Sequence, residues 1–303
     1  MARRRRARPR TRRRALSEAQ GPVAPRGLAV RRTRERYQPK PLLGPDARWW
    51  LRQISWVLGA ALLGLGIRAF GFEAYRIPTG SMLQTLLVGD HLFVNKFSYG
   101  PRVPGTNIRI PGLRDPALGD VVVFTVAHEG QRIYPADERP ELRKIEFVKR
   151  IIGLPGDRIE VRGGLVFVNG AAVRGAKTSR DFVDSEGRSL DVYRASIGGH
   201  SFEVLSDPDV AAGIPGEAEP NAGPSSVLRV PAGRYFMMGD NWDYSADSRE
   251  WGTVRDVDIK GPVSVLYWSW DYGGSYWRLF DPRASWEMLT TRMRWSRIGQ
   301  VVD

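Results

Sequence analysis

The sequence of 303 residues has no cysteine and only three histidines. The lack of cysteine excludes disulfides, thiolate metal sites and a cysteine nucleophile, and it is compatible with either redox compartment. His91, His128 and His200 lie far apart and do not show the H-x-x-x-H spacing of a zinc site. This spacing gives little support for a histidine-based metal site or catalytic triad. We expect no metal or cofactor.

Acidic residues are scarce at the N-terminus, and the whole net charge of +13 lies there. Residues 1–48 hold 16 of the 46 basic residues and 3 of the 33 acidic ones, so the remainder balances at 30 of each. This Arg- and Pro-rich tail lacks the apolar surface that would offset the entropy of ordering, so we predict that it is disordered. Residues 49–303 have no net charge and so give no sign of binding a polyanion. We therefore expect no nucleic-acid partner.

Charge is nearly absent from the segment that follows. Residues 53–72 contain a single charge, on Arg68, and twenty helical residues span about 30 Å, the thickness of a bilayer core. Trp49 and Trp50 precede the segment, as interfacial aromatic residues do. A core helix or a signal sequence can have a similar length, but no small-x-small cleavage site follows. We therefore predict a retained transmembrane helix over residues 49–72, with the basic tail in the cytoplasm.

Beyond residue 73 the sequence lacks a long helical period and consists of short β-branched runs broken by Gly and Pro. Strand or hairpin patterns occur at Val121–Phe124, Phe147–Ile152, Arg158–Val168 and Val263–Trp270. We predict a mainly β fold in which residues 73–170 and 229–303 form one β-rich domain. Residues 171–228 are polar and rich in Gly, Pro and Ser, which indicates an inserted loop or smaller subdomain.

A candidate nucleophile lies just after the membrane segment, in Ile77–Met82. Ser81 follows a glycine, which permits a backbone turn that exposes the hydroxyl. Thr79, two residues earlier, can present a second hydroxyl near the same place. A serine in such a stretch is more often only part of a turn, so this motif does not establish a nucleophile by itself.

A lysine is the alternative base for a serine where histidine is scarce. Lys149 lies between Phe147-Val148 and Ile151-Ile152, a pattern typical of a buried strand, and burial lowers the pKa of an amine. Alternation predicts that Lys149 and Arg150 point to opposite faces, so that only one of them lies inside. The competing interpretation is an exposed strand lysine.

The segment Met238–Gly252 is dense in Asp, Asn and Ser between glycines, which predicts a tightly hydrogen-bonded loop. Asp240, Asp243 and Asp247 offer carboxylates for a cation, but the frame and terminal Glu of an EF-hand are missing. A structured surface turn, a cation site and a functional loop all stay open on composition alone.

Together these clusters resemble the bacterial type I signal peptidases, also called leader peptidases, which are serine endopeptidases with a Ser/Lys dyad. Four segments carry the resemblance, in the family's order and after an N-terminal anchor: Ile77–Leu86 with Gly89-Asp90, Gly119–Phe124, Lys149–Asp157 and Gly239–Gly252. Val94–Lys96 and Arg294–Gly299 are also similar. The resemblance covers most of residues 68–170 and 230–300.

The resemblance implies that Ser81 is the nucleophile and Lys149 the general base. It also implies that the main-chain N–H of Ser81 and the hydroxyl of Thr79 form the oxyanion hole. Three residues are then expected to orient Lys149 and hold the loop: Ser245, Asp247 and Arg249. Five are expected to line the pocket for the small residue before the cleaved bond: Ile77, Met82, Leu86, Phe147 and Val148.

Four positions depart from the family's usual pattern without removing a catalytic atom. Gln84 stands where Pro is common, and Thr79 where Ser is commoner. Trp242 and Tyr244 stand where polar residues are usual. These departures bear on substrate preference more than on activity, and the Arg-rich tail is not a hallmark of the family.

The function implied by the resemblance is removal of signal peptides from preproteins after small-x-small, Ala-x-Ala-like sites. The implied architecture is an extracytoplasmic β-rich catalytic domain on a single-pass anchor in the bacterial cytoplasmic membrane. Expected partners are preprotein signal peptides, the lipid bilayer and the secretion machinery. Two alternatives stay open: a repressor-type self-cleaving Ser/Lys protease, and a non-enzymatic membrane protein whose basic tail binds nucleic acid or anionic lipid.

Overall fold

The computed structural model describes residues 47–103, 106, 108–162, 164–213, 226–271 and 281–302. The prediction that residues 1–48 are disordered falls, but for the last two residues, outside this set. The described residues form antiparallel sheets and one long apolar N-terminal helix, which confirms the mainly β fold class.

The long apolar helix opens the described part of the chain. It comprises α1, Ala47–Gly66, and a π-helical turn, Ile67–Gly71. The span Trp49–Gly71 is long and apolar enough to cross a membrane, and almost none of it is buried in protein. A helix that is apolar all round and uncovered by protein is suited to lipid, so the helix agrees with membrane anchoring.

Fifteen strands follow among the described residues, with three short α-helices between them and a fourth after the last strand. The strands are β1 Phe72–Arg76, β2 Asp90–Asn95, β3 Val121–Glu129, β4 Arg132–Pro135, β5 Arg143–Gly153, β6 Arg158–Arg162, β7 Leu165–Val168, β8 Ala171–Ala172, β9 Arg174–Val183, β10 Ser189–Ile197, β11 His200–Ser206, β12 Ser226–Arg229, β13 Arg234–Met238, β14 Val254–Arg255 and β15 Ile259–Ser269. The helices are α2 Lys96–Tyr99, α3 Pro208–Gly213, α4 Ser248–Trp251 and α5 Pro282–Glu287.

The largest sheet has the order β1-β2-β15-β3-β5-β13-β14, with β4 beside β3. Strand β5 pairs with β3 through residues 143–150, with Lys149 opposite Val122. On its other side it pairs with β13 only from Arg150 onward. Within the described residues, residues 143–149 of β5 therefore keep one free edge, and so does β1 on the side away from β2.

The segment predicted as an insertion, residues 171–228, is largely β-sheet where it is described. Strands β9, β10 and β11 form a separate three-stranded sheet, and β12 joins β6, β7 and β8 in a four-stranded sheet. The three-stranded sheet buries one apolar face that includes Leu190, Val192 and Leu205. Frequent polar and glycine residues between these positions conceal the alternation in the sequence.

The C-terminal residues return to the turn that follows β1. Arg297 donates to the carbonyl of Thr85 at 2.9 Å and to the fully buried carboxylate of Asp90 at 2.6 Å. Ser269 donates to the same carboxylate at 2.5 Å. Because this carboxylate is buried, its hydrogen bonds and counter-ion stabilise it and fix the turn against the end of the chain.

Lys149 and Arg150 are both buried, at 2% and 1% exposure, so the prediction that only one of them lies inside is wrong. That prediction assumed one covered face, whereas β5 is covered on both. The Arg150 guanidinium makes a bidentate pair with Asp240, at 3.0 and 2.9 Å, and donates to the carbonyl of Gly119 at 2.7 Å. It also lies 4.0 Å from the centroid of the Phe202 ring.

Removal of the Asp240 carboxylate should destabilise the fold strongly, because Arg150 would stay buried without its counter-ion. We expect Asp240→Ala to lower the free energy of unfolding by about 3–5 kcal/mol. The matched control is Glu160→Ala, which breaks the pair with the half-exposed Arg162 and should cost less than about 1 kcal/mol. Denaturant unfolding in detergent measures both variants. Equal costs would contradict this account of the Arg150 pair.

Candidate active site

A cleft of about 440 Å³ opens where the end of β1 faces β5. It brings together residues from all three clusters that the sequence singled out. The end of β1 contributes Tyr75 and Arg76, and the first cluster contributes Ile77, Pro78, Thr79, Ser81 and Met82. Strands β3 and β5 contribute Val123, Glu146, Phe147, Val148 and Lys149, and the Asp-rich loop contributes Tyr244 and Ala246. Ser81 and Lys149, 68 positions apart in the sequence, thus line the same cleft.

Ser81 lies in a turn that the Asp-rich loop holds in place. The main-chain N–H of Asn241 donates to the Ser81 carbonyl at 3.1 Å, and its side-chain amide donates to the Gly80 carbonyl at 3.1 Å. Gly239 packs against this turn. A Cβ atom at position 239 would lie 2.4 Å from the Ser81 carbonyl oxygen and 2.3 Å from the Ser245 hydroxyl. Position 239 therefore accepts only glycine without displacing the turn.

Burial lowers the pKa of Lys149 from 10.5 to about 8. The carboxylates of Asp247 and Asp240 oppose this shift, and the charge of Arg249 adds to it. The amine lies 5.5 Å from the centroid of the Phe147 ring, a mainly apolar neighbour. Desolvation is the largest effect, as expected for an ammonium group moved out of water.

Asp247 is the centre of the hydrogen bonds in the loop. It accepts from the Gly239 N–H at 3.1 Å, from the Ser245 hydroxyl at 2.9 Å and from the Arg249 guanidinium at 2.8 Å. Burial opposes ionisation of this carboxyl, but the charge and hydrogen bonds of Arg249, with Lys149, hold the pKa of Asp247 below its usual range. The three residues expected to orient the base thus meet in one group.

Four of the five expected pocket residues line the cleft, and Leu86 does not. Its main-chain N–H donates to the Met82 carbonyl at 2.8 Å, a helical turn. Its side chain is 0% exposed and lies in the core cluster that also contains Ile77 and Met82. Leu86 therefore supports the cleft from behind rather than forming its surface.

Several residues of the site were missed by the sequence reasoning. Tyr75 and Glu146 line the cleft at the end of β1 and in β5, and both hydrogen-bond Lys260. Gly239 and Asn241 hold the Ser81 turn through contacts across the chain. The glycine-flanked Asp-rich composition pointed to the loop, but it carried no signal for which atoms face Ser81.

The matching family and the three relatives described here are all named as signal peptidases. A family described as "Signal peptidase, peptidase S26" matches residues 50–268. The chain is 34% identical over 220 residues to signal peptidase I of Pseudomonas fluorescens, with 68% of each chain covered. It is 33% identical over 220 residues to that of Pseudomonas aeruginosa, again with 68% of each covered. Signal peptidase I of Buchnera aphidicola subsp. Acyrthosiphon pisum is 28% identical over 265 residues, covering 78% of this chain and 76% of the relative.

The buried amine should lower stability at neutral pH, and Lys149→Met should relieve this cost. The pKa is about 8 in the folded chain against 10.5 without burial, so folding must desolvate a charged amine below pH 8. The cost, about 3 kcal/mol, is complete below pH 8 and disappears as pH rises to 10.5. We expect Lys149→Met to unfold at higher temperature than wild type at pH 7, by a margin that shrinks toward pH 10.

The control for this prediction is Lys144→Met, an exposed lysine on the same strand. Thermal unfolding in detergent at several pH values compares the three proteins. A Lys149→Met variant that is less stable than wild type at pH 7 would contradict the desolvation of this amine. A stability difference that does not change with pH would contradict it as well.

Proposed function

Because the chain belongs to the signal peptidase, peptidase S26 family and is a serine endopeptidase, we propose that it removes signal peptides with Ser81 as nucleophile and Lys149 as general base. The observation that carries this proposal is that the Ser81 turn and a fully buried lysine line one cleft. A serine hydroxyl needs a neutral base, and a lysine can serve when its pKa lies near the working pH.

The lowered pKa of Lys149 has a large effect on the supply of neutral amine. With a pKa of about 8, roughly a tenth of the amine is neutral at pH 7. With the ordinary value of 10.5, roughly one part in three thousand would be neutral. Burial therefore raises the fraction of the active base by more than two orders of magnitude.

Ser245 is proposed to orient the amine by accepting a hydrogen bond from it. The Ser245 hydroxyl proton is committed to Asp247 at 2.9 Å, so the oxygen is left as an acceptor. An N–H of Lys149 directed to this oxygen turns the amine lone pair away from Ser245. We propose that the lone pair then faces the hydroxyl of Ser81.

The oxyanion hole is proposed to consist of the Ser81 main-chain N–H and the Thr79 hydroxyl. Among the described residues, the Ser81 N–H donates to no protein acceptor, so it is available to a substrate. Thr79 is exposed on the wall of the cleft. Two donors aimed at the developing oxyanion are the arrangement that acyl transfer requires, and the loss of one typically costs about 10²–10³ in kcat.

The substrate is proposed to bind as an extended strand between the free edges of β1 and β5. Within the part of the chain that the structure describes, both edges carry unpaired main-chain groups, which favours strand addition. The apolar wall near Ser81 is formed by four side chains: Ile77, Met82, Phe147 and Val148. We propose that this wall accepts a small residue before the cleaved bond, in agreement with Ala-x-Ala-like sites.

The site of action is proposed to be the outer face of the bacterial cytoplasmic membrane. The Arg-rich segment before the helix favours retention of the N-terminus in the cytoplasm. The residues after Gly71 would then emerge on the other side, where signal peptides of exported preproteins arrive. Preproteins, the bilayer and the secretion machinery are the proposed partners.

Replacement of either proposed catalytic residue should abolish cleavage. We expect Ser81→Ala and Lys149→Ala to lose about 10³-fold or more of kcat on a purified preprotein with an Ala-x-Ala site, because nucleophile and base act as a unit. The wild-type rate should rise with pH through about 8, as Lys149 loses its proton. The same rate is expected with EDTA present.

The controls for this experiment are Ser264→Ala and Lys144→Ala, which lie outside the cleft and should cleave normally. Thermal unfolding shows whether each variant is folded. Near-normal cleavage by Lys149→Ala would assign the base elsewhere. Failure of the folded wild type to cleave would favour a non-enzymatic membrane protein.

Membrane anchoring predicts that the protein stays with membranes after washing in alkaline carbonate. A variant with two charges in the apolar helix, Leu62→Arg with Leu63→Arg, should be retained less, because each charge at the centre of a span costs about 2.5–3.5 kcal/mol. Immunoblots of pellet and supernatant measure the distribution. Release of the wild type into the supernatant would contradict the anchor.

A further inference from the structure

The three-stranded sheet β9–β11 is bonded to the loop that lines the cleft. The Leu205 N–H donates to the carbonyl of Asp240 at 2.8 Å. The Asp243 carboxylate accepts from the Ser206 hydroxyl at 2.9 Å and from the Asp207 N–H at 2.7 Å. These contacts fix the first half of the loop to the end of β11.

Tyr244 is fixed by two contacts, one to its hydroxyl and one to its ring. Its hydroxyl donates to the carboxylate of Asp207 at 2.5 Å, and Asp207 is only 6% exposed. The guanidinium of Arg188 lies 3.8 Å from the centroid of its ring, within cation–π range. Arg188 is itself paired with the buried Asp184 at 2.6 Å. The position of the ring is therefore set by residues of the sheet and its β9–β10 turn.

Trp242 is contacted from the same sheet. The Arg174 guanidinium lies 5.6 Å from the centroid of the Trp242 ring and donates to the Ser206 hydroxyl at 3.2 Å.

Tyr244 is next in sequence to Ser245, and it lines the same cleft as Lys149. A shift of its ring would disturb the neighbouring Ser245 and the part of the cleft wall that Tyr244 forms, which would let water into the cleft. We propose that the β9–β11 sheet is a positioning element for Lys149, which acts through the Asp207–Tyr244 hydrogen bond and keeps Ser245 and the cleft wall in place. This inference rests on the proposed role of Lys149 as base.

The charged and titratable groups around Lys149 determine how the pKa of its amine would respond if the cleft wall at Tyr244 became looser. They are Asp240, Asp247 and Arg249 on the loop, and Tyr75, Arg76, Glu146 and Tyr244 on the cleft wall. None of these charges is removed by a change at Asp207, so water entry becomes the main effect. Hydration favours the charged amine, which moves the pKa of Lys149 back toward its ordinary value.

Two conservative variants test the inference: Tyr244→Phe, which keeps the ring, and Asp207→Asn, which keeps the size. We expect each to move the pH at which kcat/KM is half-maximal upward by about half a unit or more. Each should also lower kcat about tenfold with little change in KM, as expected when a hydrogen bond to a charged group is lost from a positioning contact. The double variant should be no worse than either single one.

The matched control is Asp191→Asn, which breaks the Lys177–Asp191 pair of 2.6 Å on the same sheet, away from the loop. It should keep the wild-type pH profile. A shift as large in Asp191→Asn, or unchanged profiles in both Tyr244→Phe and Asp207→Asn, would overturn the inference. Thermal unfolding of all variants separates loss of fold from loss of position.

A second readout does not require cleavage. Limiting acetic anhydride acylates neutral amines, and peptide mass spectrometry gives the modified fraction of Lys149 at each pH. The midpoint should lie near pH 8 in wild type and higher in Tyr244→Phe and Asp207→Asn. Midpoints equal to that of wild type would overturn the positioning role even if the enzyme cleaves. Absence of wild-type cleavage with shifted midpoints would instead contradict the proposed function alone.

Discussion

The side chain of Lys149 is removed from water, and the residues around the cleft must accommodate this buried amine. A carboxylate lies close to this amine, and by itself Asp247 would raise the pKa of Lys149 again. Arg249 takes up the charge of Asp247 through a pair at 2.8 Å, and its own charge acts on Lys149 in the opposite direction. The charge of Arg249 therefore offsets part of the effect of Asp247, and burial keeps the pKa of Lys149 lowered.

Strand β5 carries a second buried cationic side chain, Arg150, whose charge is stabilised by a counter-ion instead of being lost. Arg150 cannot lose its proton, so it needs a full counter-ion, and Asp240 supplies one. Asp240 and Asp247 belong to one loop, so each face of β5 is completed by a carboxylate from the same segment. The titratable amine of Lys149 and the permanently charged guanidinium of Arg150, adjacent in sequence, thus both depend on the docking of the same loop.

The extent to which the sequence predicts this structure differs from residue to residue. The strands around Val121–Phe124 and Phe147–Ile152 and the hairpin after Arg158 follow from local pattern, and the structure confirms them. The burial of Arg150 does not follow from local pattern, because its partner Asp240 lies 90 positions away.

In the candidate site, too, some features could be predicted from the sequence and others depend on contacts between distant residues. The resemblance to a family named Ser81, Lys149 and the loop, and these residues line or border one cleft. The contact of Gly239 with the Ser81 turn and the docking of Tyr244 on Asp207 are products of tertiary packing between distant segments. A sequence pattern with a period of two or 3.6 residues contains no information about such pairs.

The bond between Arg297 and the carbonyl of Thr85 has a consequence for biosynthesis. The two residues are 212 positions apart, and Thr85 belongs to the turn that carries Ser81. At roughly 5–20 residues per second, a ribosome needs about 10–40 seconds to travel from one to the other. During that interval the apolar helix and Ser81 have left the ribosome while the turn still lacks this bond, so the turn is secured only once Arg297 has been made.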